Sequence, residues 1–80
     1  MRNAKRGGRP PATEINDLRQ EVRSGLENGS FASLYLWIRF WADGGSASRA
    51  HMEAFVHGLQ DLSDKDVRIL GAVVEEMLST

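Results

Sequence analysis

Residues 31–41 read Phe31-Ala32-Ser33-Leu34-Tyr35-Leu36-Trp37-Ile38-Arg39-Phe40-Trp41. Eight of these eleven positions are large and apolar or aromatic, so the pattern cannot be confined to one face. Such a segment is either the centre of a core or half core and half interface. Its aromatic content also suits a β-strand. No other segment offers a strand to pair with it, so a strand here would need a second chain, as a swapped two-stranded ribbon. The reading that fits the whole sequence is a helix over 31–42, capped by Ser30, at the centre of the fold and wrapped by its neighbours. Within it Leu34, Trp37, Ile38 and Trp41 recur at three, four and seven and form the expected core stripe. Tyr35 and Arg39, four apart on a neighbouring face, form the expected interface pair. On that reading Leu34→Ala and Trp37→Ala melt the domain, while Tyr35→Ala and Arg39→Ala leave it folded.

Outward from this segment the periodicity is helical on both sides. Ile15, Leu18, Val22 and Leu26 mark one stripe of a helix over 13–28. Thr13 is its expected cap, and Asn28-Gly29 its end. Ala42-Asp43-Gly44-Gly45 is a break. Beyond it, Ser46 or Ser48 caps a helix over 47–59 with Met52, Phe55, Val56 and Leu59 on one side. Ser63 with Asp66 three positions later resembles a capping box. It opens a helix over 64–78 whose apolar face is Val67, Leu70, Val73, Val74, Met77 and Leu78. The expected fold is therefore all-α, a compact bundle or orthogonal array of four short helices with a flexible basic N-terminal arm. Isolated helices this short are marginal in water, so packing must supply most of their stability.

Eighty residues make one domain at most. With 41% apolar and 26% charged residues the chain is neither collagen-like nor wholly disordered. It has no cysteine, which removes disulfides and thiolate chemistry. No apolar run approaches the 18 or so residues of a membrane span, and no signal segment follows the basic start. These features predict a cytoplasmic protein with no membrane association.

The net charge of −1 hides an uneven layout. Arg2, Lys5, Arg6 and Arg9 lie in residues 1–11 with no acid among them. The other six basic residues face all eleven acids, so residues 12–80, the expected helical domain, carry −5. A basic arm on an acidic body is an interaction tail pattern. Within the arm, Arg6-Gly7-Gly8-Arg9-Pro10 is similar to the minor-groove hook whose core reads Arg-Gly-Arg-Pro, with one glycine more between the arginines. That similarity implies two guanidinium groups in a narrow A·T groove.

Catalytic constellations are missing from the sequence. His51 and His57 lie six apart and face different sides of a helix. Glu53 and His57 can share a face, but two ligands are too few for a structural metal site. The serines sit where caps belong, no Gly-x-Ser-x-Gly elbow exists, and Asp64 and Asp66 read as a solvated helix start. A helix-turn-helix drawn on the second and third helices leaves the third with one arginine, Arg49, and Glu53 beside it, a poor recognition surface. The expectation is a non-enzymatic binding protein with no cofactor and no metal. It acts on a larger protein or protein–nucleic acid complex as an inhibitor or regulator, for which an anti-CRISPR-type phage or mobile-element inhibitor is one candidate. The alternative is a small DNA-binding repressor, packaging or architectural factor that uses the arm and dimerises through the aromatic helix. Tyr35 and Arg39 are the expected partner contacts, and Arg2, Lys5, Arg6 and Arg9 the expected contacts to nucleic acid or an acidic partner. A homodimer is compatible with both readings.

Overall fold

The computed structural model describes residues 12–79. The basic arm of residues 1–11, with Arg2, Lys5, Arg6 and Arg9, lies outside the described residues. Four helices follow in order: α1 (Ala12–Glu27), α2 (Ser33–Ala42), α3 (Arg49–Val56) and α4 (Asp64–Ser79). The segment 31–41 is helical from Ser33, so the two-stranded ribbon is excluded for it.

The first three helices end in closed turns. After α1 the Ser30 amide donates to the Gly25 carbonyl at 2.8 Å. After α2 the Gly45 amide donates to Phe40 at 2.9 Å, and after α3 the Leu59 amide donates to Ala54 at 2.8 Å. These six-to-one closures need a left-handed residue at the turn. Gly44 takes it with φ of 104°, which a side chain would resist. The same device at Gly58 ends α3 earlier than the expected residue 59. Leu59 therefore falls beyond the helix and is 77% exposed.

Helix starts follow the caps with two changes. Ser48 accepts from the His51 amide at 3.1 Å, and Ser63 accepts from the Asp66 amide at 3.1 Å. α2 instead starts after Ala32, which has extended backbone and makes no side-chain cap. Ser30 is drawn into the preceding turn, where its hydroxyl and amide both donate to Asn28 Oδ1. Thr13 lies inside α1, which already begins at Ala12.

The core gathers Leu18 and Val22 from α1, Leu36 and Phe40 from α2, Met52, Phe55 and Val56 from α3, and Val67, Leu70, Val73 and Val74 from α4. α2 is not the centre. It packs on α3 and α4, and α1 packs on the same two helices. α2 thus has one face inside and the opposite face outside. α3 and α4 each lie against both α1 and α2, and α4 gives the core four buried apolar side chains.

Asp66 is also not a solvated carboxylate. It is buried, and its Oδ1 accepts from the Ser46 amide at 3.0 Å. This bond ties the α2–α3 connection to the start of α4 and gives the buried carboxylate a partner, without which its burial is costly.

Candidate protein-interaction surface

Successive helix residues turn by about 100°, so α2 carries two apolar stripes. Leu36 and Phe40, four apart, enter the core with no exposure. Phe40 lies so close to Gly45 that a Cβ there would overlap the ring. The other stripe faces out. Leu34 is 48% exposed, Ile38 45% and Trp41 62%, with Tyr35 at 52% on its flank. The stripe expected in the core is therefore the outer one, except for Trp37. That residue is partly buried, and its indole Nε1 donates to the Ala47 carbonyl at 3.1 Å. The reason is topological: with neighbours on only two sides, α2 buries the narrow Leu36–Phe40 edge and leaves the wider stripe in water.

Trp37 also orders the exposed face. Its ring stacks on that of Trp41, with centroids 6.3 Å apart and planes inclined by 26°. Trp41 is thus held by a ring that is itself hydrogen-bonded to the backbone. An aromatic fixed before binding loses less entropy when a partner arrives. Aromatic side chains of this kind dominate the energetics of protein interfaces.

Tyr35 and Arg39 do come together, at the edge where α2 meets α4. Arg39 donates to Glu76 Oε1 across the two helices. A hydrogen bond that Arg39 donates to the Tyr35 side chain, then the Glu76 bond and charge, raise the Arg39 pKa above its already high ordinary value. The guanidinium stays charged and is held by groups of its own chain. A cleft of about 370 Å³ lies beside it, lined by Ser30, Phe31, Tyr35, Arg39, Glu76 and Met77. Arg39 therefore shapes the rim of the apolar face and draws its counter-charge from α4.

The remaining surfaces have a different character. Between α1 and α4 a groove of about 680 Å³ is rimmed by Glu14, Asp17, Glu21 and Glu75, against one arginine, Arg68. Four carboxylates repel phosphate. On α3, Arg49 pairs with Glu53 at 3.3 Å, and Glu53 also accepts from the Ser33 hydroxyl at 3.0 Å. The arginine that would open a recognition helix is thus engaged along its own helix. His51 Nε2 lies 2.9 Å from the Asp61 carbonyl oxygen, and His57 closes α3 in solvent. Among the described residues no three potential metal ligands come together. No helix among them is long and apolar enough to cross a membrane.

Leu34, Ile38 and Trp41 are the surface residues that periodicity assigned to the core. Spacing alone yields both stripes of α2 and contains no signal that separates them. No protein-family model, no curated protein and no solved structure matches this chain.

Proposed function

We propose that the protein is a small non-catalytic binding module that works by protein–protein contact, with the outward face of α2 as its docking surface. The observation that carries this reading is the continuous exposed stripe of Leu34, Ile38 and Trp41, ordered by the Trp37–Trp41 stack. Large apolar side chains cost free energy in water, and a patch of them on a helix face is the usual centre of an interface. The serines Ser48 and Ser63 act as helix caps, which accounts for them without catalysis.

The charge layout supports a partner that handles nucleic acid. A segment with four basic residues precedes a body of −5. Such a chain meets a basic nucleic-acid channel through its body and a bound phosphate backbone through its first residues. Inhibition or regulation of such a complex, as by an anti-CRISPR-type phage or mobile-element protein, is the form this function takes in our reading. The second reading, a small DNA-binding factor, is favoured by Arg2, Lys5, Arg6 and Arg9 alone. The carboxylates around the α1–α4 groove and the Arg49–Glu53 pair speak against the helical body as a DNA surface.

The deciding experiment is affinity capture from a host lysate, with and without nuclease, using the full chain and a Leu34→Ala/Trp41→Ala double variant. A protein retained by the full chain after nuclease and lost by the double variant supports the proposal. Recovery of DNA alone supports the second reading. A protein captured equally by both chains refutes α2 as the docking surface.

A further inference from the structure

We infer that the outward face of α2 pairs with a second copy of this chain, helix against helix and antiparallel, about a two-fold axis near Ile38. The inference rests on the reading of this face as a contact surface and names an occupant for it.

Two observations select a second copy, and a third sets the strength of the pair. The first is charge. Arg39 is the only charged residue of α2, and it is ion-paired with Glu76 at the margin of the stripe. Leu34, Tyr35, Ile38 and Trp41 form a neutral face, which fits another neutral face without leaving a charge buried and uncompensated. A phosphate or an acidic lipid surface finds no cation on it. The chain as a whole carries −1, so two copies approach with little long-range repulsion.

The second is register. A two-fold interface must be complementary to itself, so that residue i meets j and j meets i. Leu34 and Trp41 lie seven residues apart, about 10.5 Å along the helix. Antiparallel alignment places Leu34 of each copy against Trp41 of the other, with the two Ile38 side chains near the axis. The largest side chain of the stripe then meets a smaller one at both ends. Parallel alignment stacks Trp41 on Trp41 and leaves a gap at Leu34.

The third is area. The four exposed fractions together amount to about two whole side chains, roughly 400 Å² at about 200 Å² for each large side chain. Two copies therefore bury about 800 Å² of apolar surface, short of the roughly 1,200 Å² at which stable interfaces begin. The pair belongs to the transient class, so a tighter partner displaces the second copy from the same face.

The test is the mass of the full chain in solution, by sedimentation equilibrium from about 5 μM to about 500 μM, since self-association follows protomer concentration. The mass is expected to rise from monomer towards dimer across this range. Ile38→Glu and Leu34→Glu should each remain monomeric throughout, with unchanged helical circular dichroism. Leu59→Glu, at an exposed apolar residue off α2, should dimerise like the unmodified chain. A monomer at 500 μM overturns the inference, as does a Leu59→Glu chain that loses dimerisation while both α2 variants keep it. If the chain is monomeric yet the double variant still loses its protein partner in lysate capture, the self-pairing alone has failed and the proposed function stands.

Discussion

Arg19 lies with its guanidinium 4.5 Å from the centre of the Phe55 ring, while its Nε donates to the Phe55 carbonyl at 2.7 Å. A second nitrogen reaches the Gln60 carbonyl at 3.1 Å and the Asp61 carboxylate at 3.2 Å. One turn along α1, Arg23 donates to the Val56 carbonyl at 3.1 Å. Two arginines of α1 thus take up carbonyls at the end of α3, an eight-residue helix whose last turn carries no base of its own. Basic side chains at a helix C-terminus satisfy orphan acceptors and oppose the macrodipole. The helical wheel of α1 places Arg19 and Arg23 beside the apolar stripe as surface residues, because it contains nothing about α3. The burial of Asp66 is hidden from the sequence for the same reason, since its partner Ser46 lies twenty positions away. We expect Arg19→Met to keep the aliphatic contact with Phe55 yet lose about 1.5–3 kcal/mol, the usual worth of hydrogen bonds to a charged group. The solvent-exposed pairing with Asp61 adds little to this. Urea denaturation checks it: a midpoint equal to that of the unmodified chain removes the capping role.

At the level of elements, the sequence shows all four helices and most of their ends, because glycine and serine act within a few residues of their own position. Gly29, Gly44 and the Ser48 and Ser63 caps are local chemistry and can be read from neighbours alone. The inner side of α2 is different, as it depends on which helices arrive beside it. Leu34, Trp37, Ile38 and Trp41 outnumber Leu36 and Phe40 and make the better stripe on paper, but α3 and α4 close over the latter. Tyr35 and Arg39 were legible as neighbours at four positions apart, whereas the Glu76 partner of Arg39 comes from a helix 37 positions on. Thermal melts distinguish the two faces. Phe40→Ala should cost about 3–5 kcal/mol, as for other buried aromatics. Trp41→Ala should stay within about 0.5 kcal/mol, as for an exposed site. Equal losses at the two positions would put Trp41 in the core. α2 also starts without a side-chain cap at Ala32, whose φ of −92° and ψ of 148° suit a capping residue. Ala32→Asp should therefore stabilise by about 0.5–2 kcal/mol, raising Tm by about 4–8 °C per kcal/mol in a domain of this size. An unchanged or lower Tm excludes this missing cap as a weakness of α2.

Over the whole molecule, charge and apolar surface are sorted onto different parts of the chain. The basic residues Arg2, Lys5, Arg6 and Arg9 precede α1, the groove between α1 and α4 is rimmed with carboxylates, and α2 presents a neutral apolar stripe. Among the described residues the core runs from Leu18 to Val74, with Ile15 packed against its edge, and residues 1–9 carry little apolar surface to add to it. Deleting residues 1–9 should therefore leave the melting transition where it is. It should act on nucleic-acid binding alone, and salt is the measure of it. Each phosphate that a protein cation neutralises contributes about −0.9 to the slope of log affinity against log salt on duplex DNA. If the four basic residues touch the backbone, neutralising all of them should flatten that slope by up to about 3.6. The loss should be uniform across DNA sequences, because phosphate contacts position a protein without reading bases. A loss confined to A·T-rich duplexes would instead assign Arg6 and Arg9 to the minor groove, whose narrow A-tract form draws arginine in. A slope and affinity unchanged by the deletion would remove nucleic acid from the role of these residues. The neutral face of α2 would then be the surface through which the protein meets its partner.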